Sequence, residues 1–263
     1  MPYCLNSIHF LREAMPKLHI LLAPSETKSE GGDLPFLDKK SFLFEELFDK
    51  RDLISKHYYK MIVRKDMDEL SVKFGIKKEK DIEKYCIDIY NSATKKAIQR
   101  YTGVAFDSID YENLTTQAQE YIDSQVLLFS NLFGPVLASN TLPYYKLKQG
   151  EKLEGLAIDA HYKKYFTKAL DDYLEGEIID LRAGVYEKFY KISKPYTTFK
   201  FLKDGKVVSH WAKAYRGKLV KLLATHGVEH VDDLKTLLPD DMILTDISTK
   251  ALKREWIIEV KGT

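Results

Sequence analysis

Ten cations stand between residues 186 and 221: Lys188, Lys191, Lys194, Lys200, Lys203, Lys206, Lys213, Arg216, Lys218 and Lys221. Only Glu187 and Asp204 oppose them. Interleaved with the bases are Tyr186, Phe189, Tyr190, Tyr196, Phe199, Phe201, Trp211 and Tyr215. A nucleic-acid surface needs cations that neutralise phosphates and rings that stack on bases. The same pattern also describes a solvated, lysine-rich hairpin whose aromatics face the core. Phe199 and Phe201 would share one face of a strand and Lys200 the other, because side chains alternate along extended chain. Both readings stand at this level.

The helical stretch 212–225 discriminates better. At about 100° per residue, Tyr215, Leu219, Leu222 and Leu223 gather on one arc, and Lys213, Arg216, Lys218 and Lys221 spread over the opposite side. These four are the leading expected phosphate contacts. Gly217 lies among them and costs about 1 kcal/mol relative to alanine inside a helix. It needs a local reason, either close approach of a phosphate or a tight contact with another backbone.

Other chemistries leave weaker traces. The chain has no phosphate-loop motif, no Gly-x-Ser-x-Gly and no His-Glu-x-x-His, the signatures of the common nucleotide, acyl-transfer and zinc sites. Ser209 and His210 are adjacent, so on a strand they point to opposite faces and form no dyad. Of the seven histidines only His226 and His230 are four apart, and a turn intervenes; no metal site is expected. Cys4 and Cys86 support no disulfide framework, which suits a reducing cytoplasm. Cys86 reads as a small core residue.

These groups need a scaffold. Leu18–Ala23 is an apolar run closed by Pro24, and Val126–Phe129 and Glu177–Leu181 are similar, so all three read as buried strands. Helical spacing marks 42–63, 67–74, 79–91 and 161–174. Asp204-Gly205 between two strand-like runs, 196–203 and 206–211, signals a tight hairpin. A helix over 212–225, a turn at His226-Gly227, a second helix near 231–238 and closing strands at 242–245 and 256–260 follow. The expected fold is α+β, as one unit or as two lobes built from intertwined segments.

Composition removes several classes. The 263 residues are 44% hydrophobic and 30% charged, with 13 Gly and 8 Pro, which suits neither a disordered nor a fibrous chain. No apolar run approaches the roughly 18–20 residues of a bilayer span, so no membrane partner is expected. The net charge of +2 looks unsuited to nucleic acid until it is resolved along the chain. The 186–221 window carries +8 and the remainder −6, and residues 104–131 hold five acids and no base. Residues 1–14, polar and lacking a signal-peptide core, read as an upstream start-site extension to a domain spanning 15–263.

Ile20-Leu-Leu-Ala-Pro-Ser-Glu-Thr-Lys28 and Ser209-His-Trp-Ala-Lys-Ala-Tyr-Arg-Gly217 resemble the first loop and the C-terminal signature of the YaaA family of bacterial peroxide-stress proteins. Tyr101-Thr-Gly103, Phe129-Ser-Asn-Leu-Phe-Gly134, Tyr145-Lys-Leu147 with Gly150, and Ile178-Ile-Asp-Leu with Tyr186 and Lys188 follow in that family's order. The resemblance implies a cytoplasmic protein of the hydroperoxide response that supports DNA repair. It also implies binding of duplex or junction DNA, without reading sequence, in a basic cleft that includes a helix-hairpin-helix element.

Carried onto this chain, the expected nucleic-acid contacts are Lys28, Lys146, Arg182, Lys213, Arg216, Gly217, Lys218, Lys221 and Gly227. Asp232 and Asp233 would oppose a phosphate at the second helix of the hairpin, which favours the first helix and the turn. No cofactor is implied, and self-association on DNA is an open expectation. Glu26 stands where the family usually has lysine, Lys146 replaces an arginine, and an Arg-Pro pair is missing from 136–141, which marks a diverged branch. Two alternatives remain: an enzyme whose Lys28, Tyr101, Lys146, Arg182, Ser209, Lys213 and Arg216 form an anion-binding pocket for a nucleotide or phosphorylated small molecule, and an iron-limiting protein.

Overall fold

Leu18–Leu22 (β1) and Val126–Ser130 (β2) are buried at every position, as strands covered on both faces must be. They run parallel, with Leu22 beside Leu128, and β1 also runs parallel to Glu177–Leu181, which pairs Leu22 with Leu181. In this computed structural model, residues 18–208 and 211–261 are described. The expected extension at 1–14, together with Ser209 and His210, lies outside them.

Numbered along the chain, the remaining strands of the main sheet are β3 (Gly134–Leu137), β4 (Glu177–Leu181), β5 (Tyr196–Lys203), β6 (Lys206–Val207), β7 (Met242–Lys250) and β8 (Lys253–Val260). Their order is β7-β8-β5-β4-β1-β2-β3, with β6 on β5. The five inner strands are parallel, and β3, β6 and β7 are antiparallel additions. The described residues thus form one mixed α/β unit around a single core.

Six helices matter below: α1 (Phe48–Arg64), α2 (Met67–Phe74), α3 (Val104–Ile109), α4 (Thr116–Gln125), α5 (Ile158–Tyr173) and α6 (Trp211–His226). Local chemistry sets their ends. Asp66 caps α2 by accepting from the amides of Asp68 and Glu69, and Thr115 caps α4 from Ala118. The helix expected over 79–91 stops at Glu83, and further on Asp88 accepts from the amides of Tyr90 and Asn91, an alternative to helical pairing.

The Asp204-Gly205 hairpin forms, with both residues at positive φ (51° and 70°), the combination a two-residue reversing turn requires. Its second strand ends at Val207, shorter than expected. Phe199 and Phe201 are buried on one side of β5 and Lys200 is on the other. Tyr186, Phe189, Tyr190 and Tyr215 are buried as well, whereas Trp211 is exposed. Most rings of the basic window therefore belong to the core.

Helix α6 ends at Gly227 (φ 58°), where the Gly227 amide donates to Ala224 O and the Val228 amide to Leu223 O. This is the Schellman closure of a helix C-terminus. The segment expected as a second helix over 231–238 is a 3₁₀ turn, Val231–Asp233, followed by one α-turn, Leu234–Leu237. The Val231 amide donates to the Glu177 carboxylate at 2.8 Å. The amides of Gly227, Val228 and Val231 are thus bonded within the protein.

Candidate functional site

The chain leaves β1 for β2 on one side and leaves β4 for β5 on the other. Loops diverge at such a switch point and open a crevice outside the carboxyl ends of the strands. A cavity of about 490 Å³ lies there. It is lined by Leu22 and Leu181 at the ends of β1 and β4, by the Ala23–Thr27 loop, by Thr102–Phe106, and by Lys213 and Arg216 of α6.

Gly217 explains how α6 comes so close. A Cβ there would lie 2.1 Å from the Ala105 carbonyl oxygen and 2.8 Å from Ser108 Cβ. Of the two reasons that would justify glycine, the structure supplies the helix contact: α6 meets α3 backbone to backbone, which holds Lys213 and Arg216 over the cavity.

The four leading cations of α6 separate into two pairs. Lys213 is exposed and Arg216 half-buried, and both line the cavity. Neither has an ion-pair or hydrogen-bond partner among the described residues. Burial lowers the pKa of Arg216, and the Asp180 carboxylate opposes that shift. Lys218 pairs with Asp241 at 2.7 Å and Lys221 with Asp110 at 3.0 Å, away from the cavity.

Arg182 is placed elsewhere. Its guanidinium, 1% exposed, bonds both oxygens of Asp180 (2.8 and 3.0 Å) and the Tyr190 carbonyl (2.9 Å), and it lies 4.6 Å from the Phe129 ring centroid. Such a guanidinium braces the loop after β4 and offers no surface to a phosphate.

Beneath the first loop is a second cluster. Lys28 and Tyr101 are bridge partners between two extended segments. The Lys28 ammonium lies 4.2 Å from the Tyr145 ring centroid and 5.1 Å from that of Tyr101, with the Ser25 and Glu26 carbonyls at 3.3 and 3.4 Å. Burial, reinforced by the charge of Lys146, pushes its pKa down to about 7, against the pull of Glu26. The Tyr145 hydroxyl is 2.7 Å from both Tyr101 Oη and Ser130 Oγ, and Ser130 Oγ accepts from the amides of Leu132 and Phe133. Lys146 reaches the Glu26 carbonyl at 3.2 Å and its carboxylate at 3.6 Å. Buried Arg100 anchors the loop through Ser29 O and binds Leu142 O at 3.1 Å.

Of the expected site residues only Lys213 and Arg216 line the cavity; Lys28 and Lys146 gather with Tyr101 in the cluster beneath the first loop, and Arg182, Gly217, Lys218, Lys221 and Gly227 also lie outside the cavity. Sequence reasoning did not single out Gln149 or Ser130 as site residues, and it read Tyr186 as a ring of the basic window. Tyr186 and Ser130 sit inside family-like segments, and Gln149 has no pattern around it that would have drawn notice. Gln149 lines the cavity, and its amide nitrogen is buried without a partner among the described residues.

The fold is a mixed α/β sheet with Lys213 and Arg216 lining the crevice at its switch point. Residues 18–242 match the family described as peroxide stress protein YaaA, and the chain belongs to that family. It is 44% identical over 244 residues to an uncharacterized protein of Campylobacter jejuni, covering 92% of this chain and 99% of the relative. It is 35% identical to a UPF0246 protein of Corynebacterium efficiens, covering 78% and 84%, and 31% identical to one of Corynebacterium glutamicum, covering 81% and 89%. Among the described residues no helix is long and apolar enough to cross a membrane.

Proposed function

We propose that this peroxide-stress family member acts in the cytoplasm by binding DNA through its sugar-phosphate backbone, independently of sequence, in support of DNA protection or repair. The observation that carries the reading is the pair Lys213 and Arg216. A half-buried guanidinium that no carboxylate bonds directly is unfavourable unless an anion completes it, and this one stands with a lysine over an open crevice. Phosphate is the anion that a guanidinium fork and a neighbouring ammonium suit. Contacts of this kind position a strand without reading its bases.

Fluorescence anisotropy with duplex, single-stranded and junction DNA across a salt series tests the proposal. Binding that weakens steeply with salt and varies little with sequence supports it. Absence of binding at low salt rejects it.

One observation favours a second reading, an enzyme acting on a phosphorylated small molecule. Lys28, with its pKa near 7 and packed on Tyr145 beside the crevice, has the character of an amine prepared for base or nucleophile chemistry. Turnover of a phosphorylated compound that is abolished by Lys28→Met, with no affinity for DNA, would establish it.

A further inference from the structure

Lys213 and Arg216 account for an anion, yet they are only two of the residues that line the cavity. The rest of the wall is of a different kind. Leu22, Val104, Phe106 and Leu181 present apolar surface, and the buried amide nitrogen of Gln149 has no acceptor among the described residues. A bare phosphate would satisfy the cations and leave the apolar wall wet. A double helix, whose major groove alone is about 12 Å wide, is far too large to enter. The volume of about 490 Å³ falls within the roughly 300–1,000 Å³ of sites that enclose a small organic ligand. The occupant that fits has one anionic end, a flat apolar body and a hydrogen-bond acceptor on its edge.

We infer that the cavity is a single-nucleotide pocket: it takes one nucleoside phosphate unit, free or swung out of a DNA strand, with the phosphate on Lys213 and Arg216, the base against the apolar wall, and its edge on the Gln149 amide, which turns into the cavity to meet it. The strand-borne case rests on the DNA-binding reading above, and the free nucleotide does not. A base carries the acceptors that glutamine amides bond at nucleic-acid edges. Proteins that must reach one base extrude it into a pocket of this kind, bounded by apolar side chains and edge-reading polar groups. The position agrees as well, since the crevice at a sheet's switch point is where nucleotides settle in open α/β folds.

The test uses the full chain and two probes. Calorimetry with deoxynucleoside 5′-monophosphates, against inorganic phosphate as control, addresses the free unit. A duplex carrying 2-aminopurine, followed by anisotropy and by 2-aminopurine fluorescence in one titration, addresses the strand-borne unit. We expect the monophosphates to bind at least about tenfold more tightly than phosphate, Gln149→Ala to weaken them about tenfold, and 2-aminopurine to brighten as the duplex binds. Ala183→Trp, which fills the cavity and leaves both cations in place, should abolish the brightening and the monophosphate binding.

Duplex binding with unchanged 2-aminopurine fluorescence, and monophosphates no tighter than phosphate, would overturn the pocket and leave DNA binding standing. Monophosphate binding without duplex binding would uphold the pocket as a site for a free nucleotide and reject the DNA reading. Failure of both probes rejects both.

Discussion

Lys28 holds its ammonium 4.2 Å from the ring centroid of Tyr145, with 9% of the lysine exposed. No carboxylate within hydrogen-bond reach neutralises it; its contacts are two carbonyls and two aromatic faces. A ring face stabilises a cation by about 0.5–2 kcal/mol, less than the cost of drawing a full charge out of water. The balance favours the neutral amine, and the near-neutral pKa follows from that placement.

A first prediction is a pH dependence. The folded pKa of Lys28 is about 7 and its ordinary value 10.5, so between these limits the unfolded chain binds more protons. Stability must then rise with pH across that window. The gain between pH 7 and pH 9 is about 2 kcal/mol. Denaturant unfolding at the two pH values should show this rise in the wild type and a flat profile in Lys28→Met. An equal rise in both proteins would mean that the amine is solvated.

A second prediction separates the cations of α6. Lys213→Ala with Arg216→Ala should lower DNA affinity and reduce the slope of log K against log salt by about 2, one for each phosphate that goes unneutralised. Lys218→Ala with Lys221→Ala removes two surface pairs, each contributing about 0–1 kcal/mol to stability, and should leave that slope unchanged. Anisotropy titrations at several salt concentrations decide. A slope reduced in the Lys218/Lys221 variant and unchanged in the Lys213/Arg216 variant would place the DNA on the outer face of the helix.

The glycines give a third. Gly217→Ala would set a Cβ 2.1 Å from the Ala105 oxygen and push α6 off α3, at a cost of about 1–3 kcal/mol for overpacking. Because the same shift moves Arg216, DNA affinity should fall with stability. Gly227→Ala meets no atom within 4 Å but sits at φ 58°, so it should cost about 1 kcal/mol and leave affinity intact. Melting curves and anisotropy on the two variants distinguish a packing glycine from a capping one.

How far the sequence led depends on the range of each interaction. β1, β2 and β4 were legible because each is a short apolar run with polar or proline boundaries, and the Asp204-Gly205 turn was legible because two adjacent residues determine it. That Leu22 has both Leu128 and Leu181 beside it was not, since parallel partners come from distant segments. Lys213 and Arg216 stood out by type and spacing. Their separation from Lys218 and Lys221 depends on Asp241 and Asp110, which no helical wheel contains. Arg182 and Asp180 are two apart, yet only the burial of both shows that the pair serves the fold. Gln149 became visible only because its amide nitrogen is enclosed without a partner among the described residues.

The last prediction concerns the strand that supports the crevice. His19 stands within β1 with no exposed surface, its ring 5.0 Å from that of Tyr173. Burial pushes its pKa from 6.5 to about 4, against a raising contribution from the Glu175 backbone. The folded state holds the neutral ring, so its contribution is complete above pH 6.5 and is lost as pH falls toward 4. The loss amounts to about 3 kcal/mol by pH 4. Carboxylates protonate over the same range, so the informative quantity is the difference between wild type and His19→Gln. That difference should narrow by about 3 kcal/mol between pH 7 and pH 4, because only the wild type carries a ring that charges on unfolding. Parallel profiles would mean that the imidazole is protonated in the folded protein and that β1 tolerates a charge at its centre.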